Sequence, residues 1–175
     1  GYKMPNQQEQ EIRLTNSTFR TDYAELKFFC ANYDAFQDIP FSQGLTYVAA
    51  DALFPNSKFI LTERPVDAWF NSMCHSTKKM FNLEDLSQLT EKDVLEKFTY
   101  LYPGYLHSVK RRLLSSFEAN SGAVDWSKLY NFDWYADMYQ RINEEIKRYF
   151  MNVPEKLLVI DVTQEKTTEK DRKSV

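Results

Sequence analysis

The segment Phe59-Ile60-Leu61-Thr62-Glu63-Arg64-Pro65-Val66-Asp67-Ala68-Trp69-Phe70-Asn71-Ser72 joins a strand pattern to a helix start, with Arg64 at the corner. Lys58 to Thr62 is a short apolar, β-rich run behind the turn signal Pro55-Asn56-Ser57, and it is expected to form a buried strand. Pro65 stands where a first helical residue belongs. Arg64 is thereby placed at the carboxyl end of a strand, where parallel α/β sheets bind ligands. An arginine there presents a planar fork of donors beside the orphan N–H groups of the helix start. Ser72, two turns along, returns to the same face, so the two side chains are spaced to grip one phosphate. The bland alternative is a solvated corner or a salt-bridge partner.

Working outward, Thr21 to Asn32 is expected to be a helix, followed by a short extended piece from Tyr33 to Gln37 that runs into Asp38-Ile39-Pro40. Ser42 to Leu53 reads as a helix with Ser42 as N-cap, and Val66 to Phe81 as a long amphipathic helix. Leu83 to Tyr102 is a polar stretch and helix. Tyr105 to Phe117 is another helix, with Val109, Leu113, Leu114 and Phe117 on one face. Asn120 to Trp126 is a turn-rich break, Trp134 to Met151 the last long helix and Lys156 to Val162 the last strand. Residues 1–162 are expected to form one domain and residues 163–175 a polar, frayed tail. Strands alternating with helices imply an α/β fold with a parallel sheet and right-handed crossovers. Because so few strands are visible, either a further one hides near Ile12-Arg13-Leu14 or two chains share a sheet as a homodimer.

With 43% hydrophobic and 15% aromatic residues among 175, the chain has ample material for one core. A formal charge of −3 argues against a nucleic-acid or anionic-membrane partner. No segment of this sequence approaches the roughly 20 apolar residues of a membrane span and no charged-apolar-small signal pattern opens it, while a preceding N-terminal piece could have held either. Cys30 and Cys74 are too few for a disulfide framework and lie in helical patterns, so reduced thiols and a cytoplasmic setting are the default. With His75 and His107 they give no metal-ligand spacing, and no metal is expected. His75 follows the Arg64 to Ser72 helix and is read as a surface residue. The run Lys110-Arg111-Arg112 spreads over more than half of a helix circumference, so its members do not share one ligand, and a solvated face is the simpler reading. Phe28, Phe29, Phe36 and Phe70 are read as core.

The Arg64 to Ser72 block resembles the 3′-phosphate-binding segment of sulfotransferases, in which strand, Arg, Pro, a tryptophan and Ser recur in that order. Arg64, Trp69 and Ser72 match. One departure is that Pro65 follows Arg64 directly, where the family usually places an Asp or Asn between them. Upstream, Asp38-Ile39-Pro40 and the segment Gly44 to Phe54 resemble the family's His-x-Pro and following helix, with Asp38 in the histidine's place. Downstream, Asp137 to Phe150 and then Pro154 to Val162 resemble its late helix and strand, closest to the bacterial-type branch. Arg172-Lys173 is a fainter likeness to an Arg-Lys pair that touches the same phosphate, without the glycine expected after it.

The resemblance implies a three-layer, helix-rich parallel sheet of the P-loop nucleotide-binding type. It also implies transfer of a sulfuryl group from 3′-phosphoadenosine 5′-phosphosulfate to a hydroxyl or amine of an unknown acceptor. Arg64 and Ser72 would anchor the donor, Trp69 would border the adenine, and Asp38 would take the acceptor proton. A carboxylate of ordinary pKa near 4 is a poor base for an alcohol, so that role asks for a buried Asp38. The alternative for Asp38 is a turn cap before Pro40. The family's Gly/Ser/Thr-rich phosphosulfate loop is missing: the only glycines are Gly1, Gly44, Gly104 and Gly122, and Gly1-Tyr2-Lys3 resembles the segment after the loop and its helix in related proteins. The chain is therefore expected to be an N-terminally incomplete domain. A loop-less, non-catalytic relative that at most binds a phosphorylated nucleotide is the alternative. A nucleoside or nucleotide kinase relative is a weaker one, since it needs the absent Walker lysine.

Overall fold

The structure, a computed structural model, describes residues 1–115 and 124–163. Two compact units are distinguishable, Gly1–Lys58 and Phe59–Val175.

The first unit is helical. Helix α1 (Gln7–Phe19) starts where the Asn6 side chain accepts from the Glu9 N–H, α2 (Tyr23–Cys30) starts from Asp22 in the same way, and α3 (Thr46–Leu53) follows a run of turns. Leu14, Leu26, Phe29 and Cys30 form its core, with Tyr33, Phe36, Phe41 and Leu53 packed around them. Several expectations fail here. Ile12-Arg13-Leu14 is the middle of α1, because Asn6 caps a helix whose inner face carries Gln10, Leu14, Thr15 and Thr18. The segment Tyr33 to Gln37 is irregular rather than extended into a sheet, since no strand lies beside it among the described residues. Ser42 lies in a turn and the helix starts after Leu45, which leaves Ser42 free to serve the Asp38 turn instead. Phe28 sits on the outer face of α2 and is 66% exposed, so it is not part of the core.

The second unit holds the sheet. Strands β1 (Phe59–Glu63) and β2 (Leu157–Asp161) pair in parallel, from Phe59 opposite Leu157 to Glu63 opposite Asp161. A parallel pair requires a crossover, and this one contains α4 (Val66–Phe81), α5 (Glu91–Lys97), α6 (Tyr105–Leu114) and α7 (Phe132–Tyr149). The chain is thus a helix-rich α/β protein with a two-stranded parallel sheet among the described residues. The expected burial of β1 is not met: its residues alternate between half-buried and exposed, and Ile60 is 50% exposed. With a single neighbouring strand among the described residues, β1 keeps an open edge.

Local chemistry explains the helix boundaries. Asp67 opens α4 and Lys78 and Lys79 close it, each matching the helix dipole, and Asn82 in the left-handed region (φ 51°) stops it. Thr90 and Asp93 form a reciprocal capping box on α5. The Asn131 side chain accepts from the Trp134 N–H at 3.0 Å, so α7 begins two residues before Trp134. Leu86, Val94, Phe98, Leu114, Tyr135 and Met138 make the core of this unit, where Phe81 stacks on Phe98 at 4.3 Å. Phe117, most of the Asn120 to Trp126 break, the tail beyond Thr163 and Arg172-Lys173 lie outside the described residues. Among the described residues no helix is long and apolar enough to cross a membrane, and no group of His, Cys, Asp and Glu is arranged to hold a metal.

Candidate functional site

Arg64 follows the last residue of β1, and Pro65 is the N-cap of α4 rather than its first residue, because its ψ of 134° is extended. A proline cap offers no side-chain acceptor, and none of the leading N–H groups of α4 receives a side-chain cap. The first amide to close an intrahelical bond is Trp69 N–H, on the Pro65 carbonyl at 3.0 Å. Orphan donors therefore remain beside Arg64, at the positive end of a 16-residue helix.

The corner is fixed from α7. The Tyr139 hydroxyl receives the Arg64 backbone N–H at 3.1 Å and lies 3.4 Å from the Arg64 carbonyl oxygen. Tyr139 is itself stacked on Trp69, with ring centroids 4.4 Å apart and planes at 22°. Trp69 packs against the core beside Tyr135, so one of its faces is already covered by protein. Its bulk reaches Arg64 through Tyr139, a route that the spacing of Arg64 and Trp69 does not reveal.

A pocket of about 250 Å³ opens at this corner. Glu63, Arg64 and Val66 line it from the strand and the helix start, and Tyr139, Gln140, Asn143 and Glu144 from one face of α7. Ser72 and Trp69 are not among its lining residues. Ser72 lies two turns into α4, about 9 Å along the axis from Val66 at 1.5 Å per residue, and is half-buried with no hydrogen bond of its side chain among the described residues. Asp38 belongs to the first unit, and His75 is exposed on α4.

Charge in the pocket is divided unevenly. Lys147 reaches Glu144 at 2.5 Å and Glu63 at 3.2 Å, and the Glu144 carboxylate, with Glu63 behind it, holds the Lys147 ammonium above its ordinary range. Both carboxylates are thereby engaged by one cation. The Arg64 guanidinium, half-buried, makes no ion pair or side-chain hydrogen bond among the described residues. Asn143 is more unusual: it is only 7% exposed, lines the pocket, and its side-chain amide has no hydrogen-bond partner among the described residues. The amide opens onto the pocket: the fully buried side-chain atoms without a partner among the described residues are Gln43 Oε1 and the Tyr135 hydroxyl, not those of Asn143.

Sequence reasoning reaches Arg64 but misses this opposite wall. A signal is present. Asn143 is a poor helix former placed in line with Tyr135, Tyr139 and Ile146 on the inner stripe of α7, where an apolar residue would otherwise sit.

The Asp38 turn is held by several hydrogen bonds. Asp38 has φ 58°, a left-handed conformation that Asp tolerates better than most residues. The buried Gln10 side chain donates to the carbonyls on either side, Gln37 at 2.6 Å and Ile39 at 2.7 Å. Ser42 N–H donates to the Asp38 carbonyl at 2.9 Å, and the Ser42 hydroxyl lies 3.4 Å from Asp38 Oδ1. The Asp38 side chain is exposed, so the burial that a base for an alcohol would need is not provided here.

The basic run behaves differently from a solvated face. Arg111 and Arg112 are exposed, whereas the Lys110 ammonium lies 4.7 Å from the centre of the Tyr130 ring and 5.8 Å from that of Tyr135. The two cysteines act as small hydrophobes: burial pushes the Cys30 thiol up to about 12 and raises that of Cys74.

A strand, an arginine corner and an open helix start meet at a polar pocket at the strand ends, the place where α/β folds carry their ligand sites. Residues 2–165 match the family model for the sulfotransferase domain, and the chain belongs to that family. Comparison with curated proteins and with solved structures gave no match.

Proposed function

We propose that the chain binds the 3′-phosphate end of 3′-phosphoadenosine 5′-phosphosulfate and contributes this hold to transfer of a sulfuryl group to a hydroxyl or amine. The observation that carries the reading is the unpaired Arg64 guanidinium beside the uncapped start of α4. Guanidinium and free amides are the donors that a phosphate dianion takes up in charge-assisted bonds. Both carboxylates at the pocket touch Lys147, whose single charge offsets one of them and leaves Arg64 to face the other and the ligand. Ser72 would add a hydroxyl from further along α4, and Trp69 supports the corner through Tyr139. When bound, the donor supplies the transferable sulfuryl group, while the chain's own residues bind and orient it. Asp38 is proposed as the acceptor's proton acceptor, on the match of Asp38-Ile39-Pro40 alone.

Calorimetry with adenosine 3′,5′-bisphosphate tests this. Binding is expected in the high micromolar to millimolar range, on the order of 4–6 kcal/mol, because only one end of the ligand is held. Arg64→Ala is expected to abolish it. Submicromolar affinity, or affinity indifferent to Arg64→Ala, would mean that other residues make the site.

A second reading, binding without turnover, is favoured by the exposure of Asp38. The two differ in a radiolabelled sulfate-transfer assay with a panel of alcohol and amine acceptors. Transfer that falls by at least tenfold on Asp38→Asn supports the enzyme reading. Transfer unchanged by that substitution removes Asp38 from the mechanism, and no transfer at all leaves the binding role.

A further inference from the structure

We infer that Gln10 is the positioning residue of Asp38: its side-chain amide clamps the backbone on both sides of that residue and leaves the Asp38 carboxylate free to take the acceptor's proton. The inference rests on the enzyme reading of Asp38 and adds a residue that no local pattern connects with it.

Three observations converge on it, all within the first unit. Gln10 is fully buried on α1, and its NH2 group donates to two backbone carbonyls, those of Gln37 at 2.6 Å and Ile39 at 2.7 Å. These are the residues directly before and after Asp38. The clamp has a rigid base, since the Gln10 N–H bonds the Asn6 carbonyl at 3.0 Å and Leu14, one turn further on the same face, lies in the core. Second, the turn is held without the Asp38 side chain. Ser42 N–H donates to the Asp38 carbonyl, Pro40 is fully buried and Phe41 packs on the core of the unit, whereas the carboxylate's one contact among the described residues is the Ser42 hydroxyl at 3.4 Å. An Asp that builds a turn accepts from nearby backbone N–H groups instead. Third, Asp38 has φ 58°, a conformation that glycine takes at no steric cost. An exposed carboxylate kept there by bonds to its backbone is presented outward and does not build the turn.

In the transfer step the acceptor's oxygen or nitrogen forms a bond to sulfur as the bond from sulfur to the donor's phosphate oxygen breaks. The acceptor's proton passes to the Asp38 carboxylate, and adenosine 3′,5′-bisphosphate leaves. Gln10 bonds backbone only and acts by fixing where that carboxylate stands, and a misplacement of about 1 Å can cost about a hundredfold in rate. The bound acceptor supplies the desolvation that the exposed Asp38 lacks by itself.

The test combines radiolabelled sulfate transfer to the acceptor panel with thermal denaturation and amide hydrogen exchange. Asp38→Gly is expected to keep Tm and the exchange rate of the Ser42 N–H, because glycine accepts the same φ and the carbonyl that Ser42 bonds remains. Gln10→Met, similar in size but without donors, is expected to lower Tm by a few degrees and to speed exchange at Ser42. It is also expected to lower kcat by about tenfold or more with little change in KM for the acceptor, yet to leave the residual rate of Asp38→Asn within about twofold, because Gln10 acts through the carboxylate. A full further loss in the Asp38→Asn background would make Gln10 merely structural and overturns the inference. So does faster Ser42 exchange in Asp38→Gly, which would make the carboxylate the cap of the turn. Should Gln10→Met fail to fold, Gln10→Asn, which keeps an amide but falls one methylene short, takes its place in both backgrounds. Transfer that falls on Asp38→Asn but not on Gln10→Met removes Gln10 alone. Transfer that is absent, or untouched by Asp38→Asn, brings down the enzyme reading and this inference with it.

Discussion

Lys110→Met is expected to stabilise the protein at pH 7 by about 1–2 kcal/mol, although it removes a positive charge from two aromatic faces. Burial pushes the Lys110 ammonium down from 10.5 to about 8, a drop equivalent to about 3 kcal/mol at 1.36 kcal/mol per pH unit. Against this stands the attraction of Tyr130 and Tyr135, at 4.7 and 5.8 Å, which is about 1–2 kcal/mol for a desolvated cation over a ring. Desolvation wins. The pH dependence has a definite sign. The unfolded chain keeps this proton up to 10.5 while the folded chain gives it up near 8, so between these values the unfolded state binds more protons and stability rises with pH. Lys110→Met removes that rise. The groups facing Lys110 work in the other direction: burial raises the Cys74 thiol, and it pushes the Tyr130 hydroxyl up to about 12 and raises that of Tyr135. Their stabilisation is present at low pH and is lost as the pH climbs past about 9 to 10, so the absolute stability curve is a sum of opposing trends. The difference between unsubstituted chain and variant isolates Lys110. Urea denaturation of both proteins at several values between pH 7 and 9.5 measures it. A variant less stable than the parent at pH 7, with a pH-independent difference, would mean that the cation–π contacts outweigh burial.

The strand, the corner and the long helix after it are legible in the sequence because each carries its own local signal. Pro55-Asn56-Ser57 announces β1, and the apolar run in Val66 to Phe81 needs no distant partner to be read. The late helix and β2 are equally clear, with errors of one or two residues at their ends. The elements that mislead are those whose character is set elsewhere. Ile12-Arg13-Leu14 has strand-like composition, but the Asn6 cap and the burial of Leu14 beside Leu26 and Phe29 make it helical. The burial of β1 is overestimated from sequence because an apolar strand carries no record of how many neighbours it has. Lys110 reads as solvated because its two flanking arginines are, while the rings that cover it come from positions 20 and 25 residues later. Of the candidate site, Arg64 is readable from one segment, whereas Tyr139 and Asn143 join it from 75 or more residues along the chain, near the end of the parallel crossover. No local pattern spans that distance.

Trp69→Ala is expected to cost about 3 kcal/mol of stability, the low end for removing a buried indole, since Trp69 is half-buried and packed on the core. The same substitution separates two roles for this ring. If Trp69 is a platform for adenine, its loss should weaken adenosine 3′,5′-bisphosphate but not inorganic phosphate, because base stacking contributes only to the first. The stack of Trp69 on Tyr139 at 4.4 Å, and the bond from the Arg64 backbone to the Tyr139 hydroxyl at 3.1 Å, lead to a different expectation. Without the indole, Tyr139 loses the surface that orients it, the Arg64 corner loosens, and both ligands should weaken by a similar factor. Trp69→Phe keeps a ring against Tyr139 and is expected to restore most of the binding and part of the stability. Tyr139→Phe tests the chain of contacts one step further along. It retains the stack but removes the hydroxyl, so it should weaken both ligands while costing only about 1 kcal/mol of stability, the net value of one hydrogen bond. Affinities for both ligands, measured in parallel with thermal denaturation of the three variants, give the answer. A selective loss of adenosine 3′,5′-bisphosphate in Trp69→Ala, with Tyr139→Phe binding both ligands normally, would transfer Trp69 from the support of the corner to direct contact with the base.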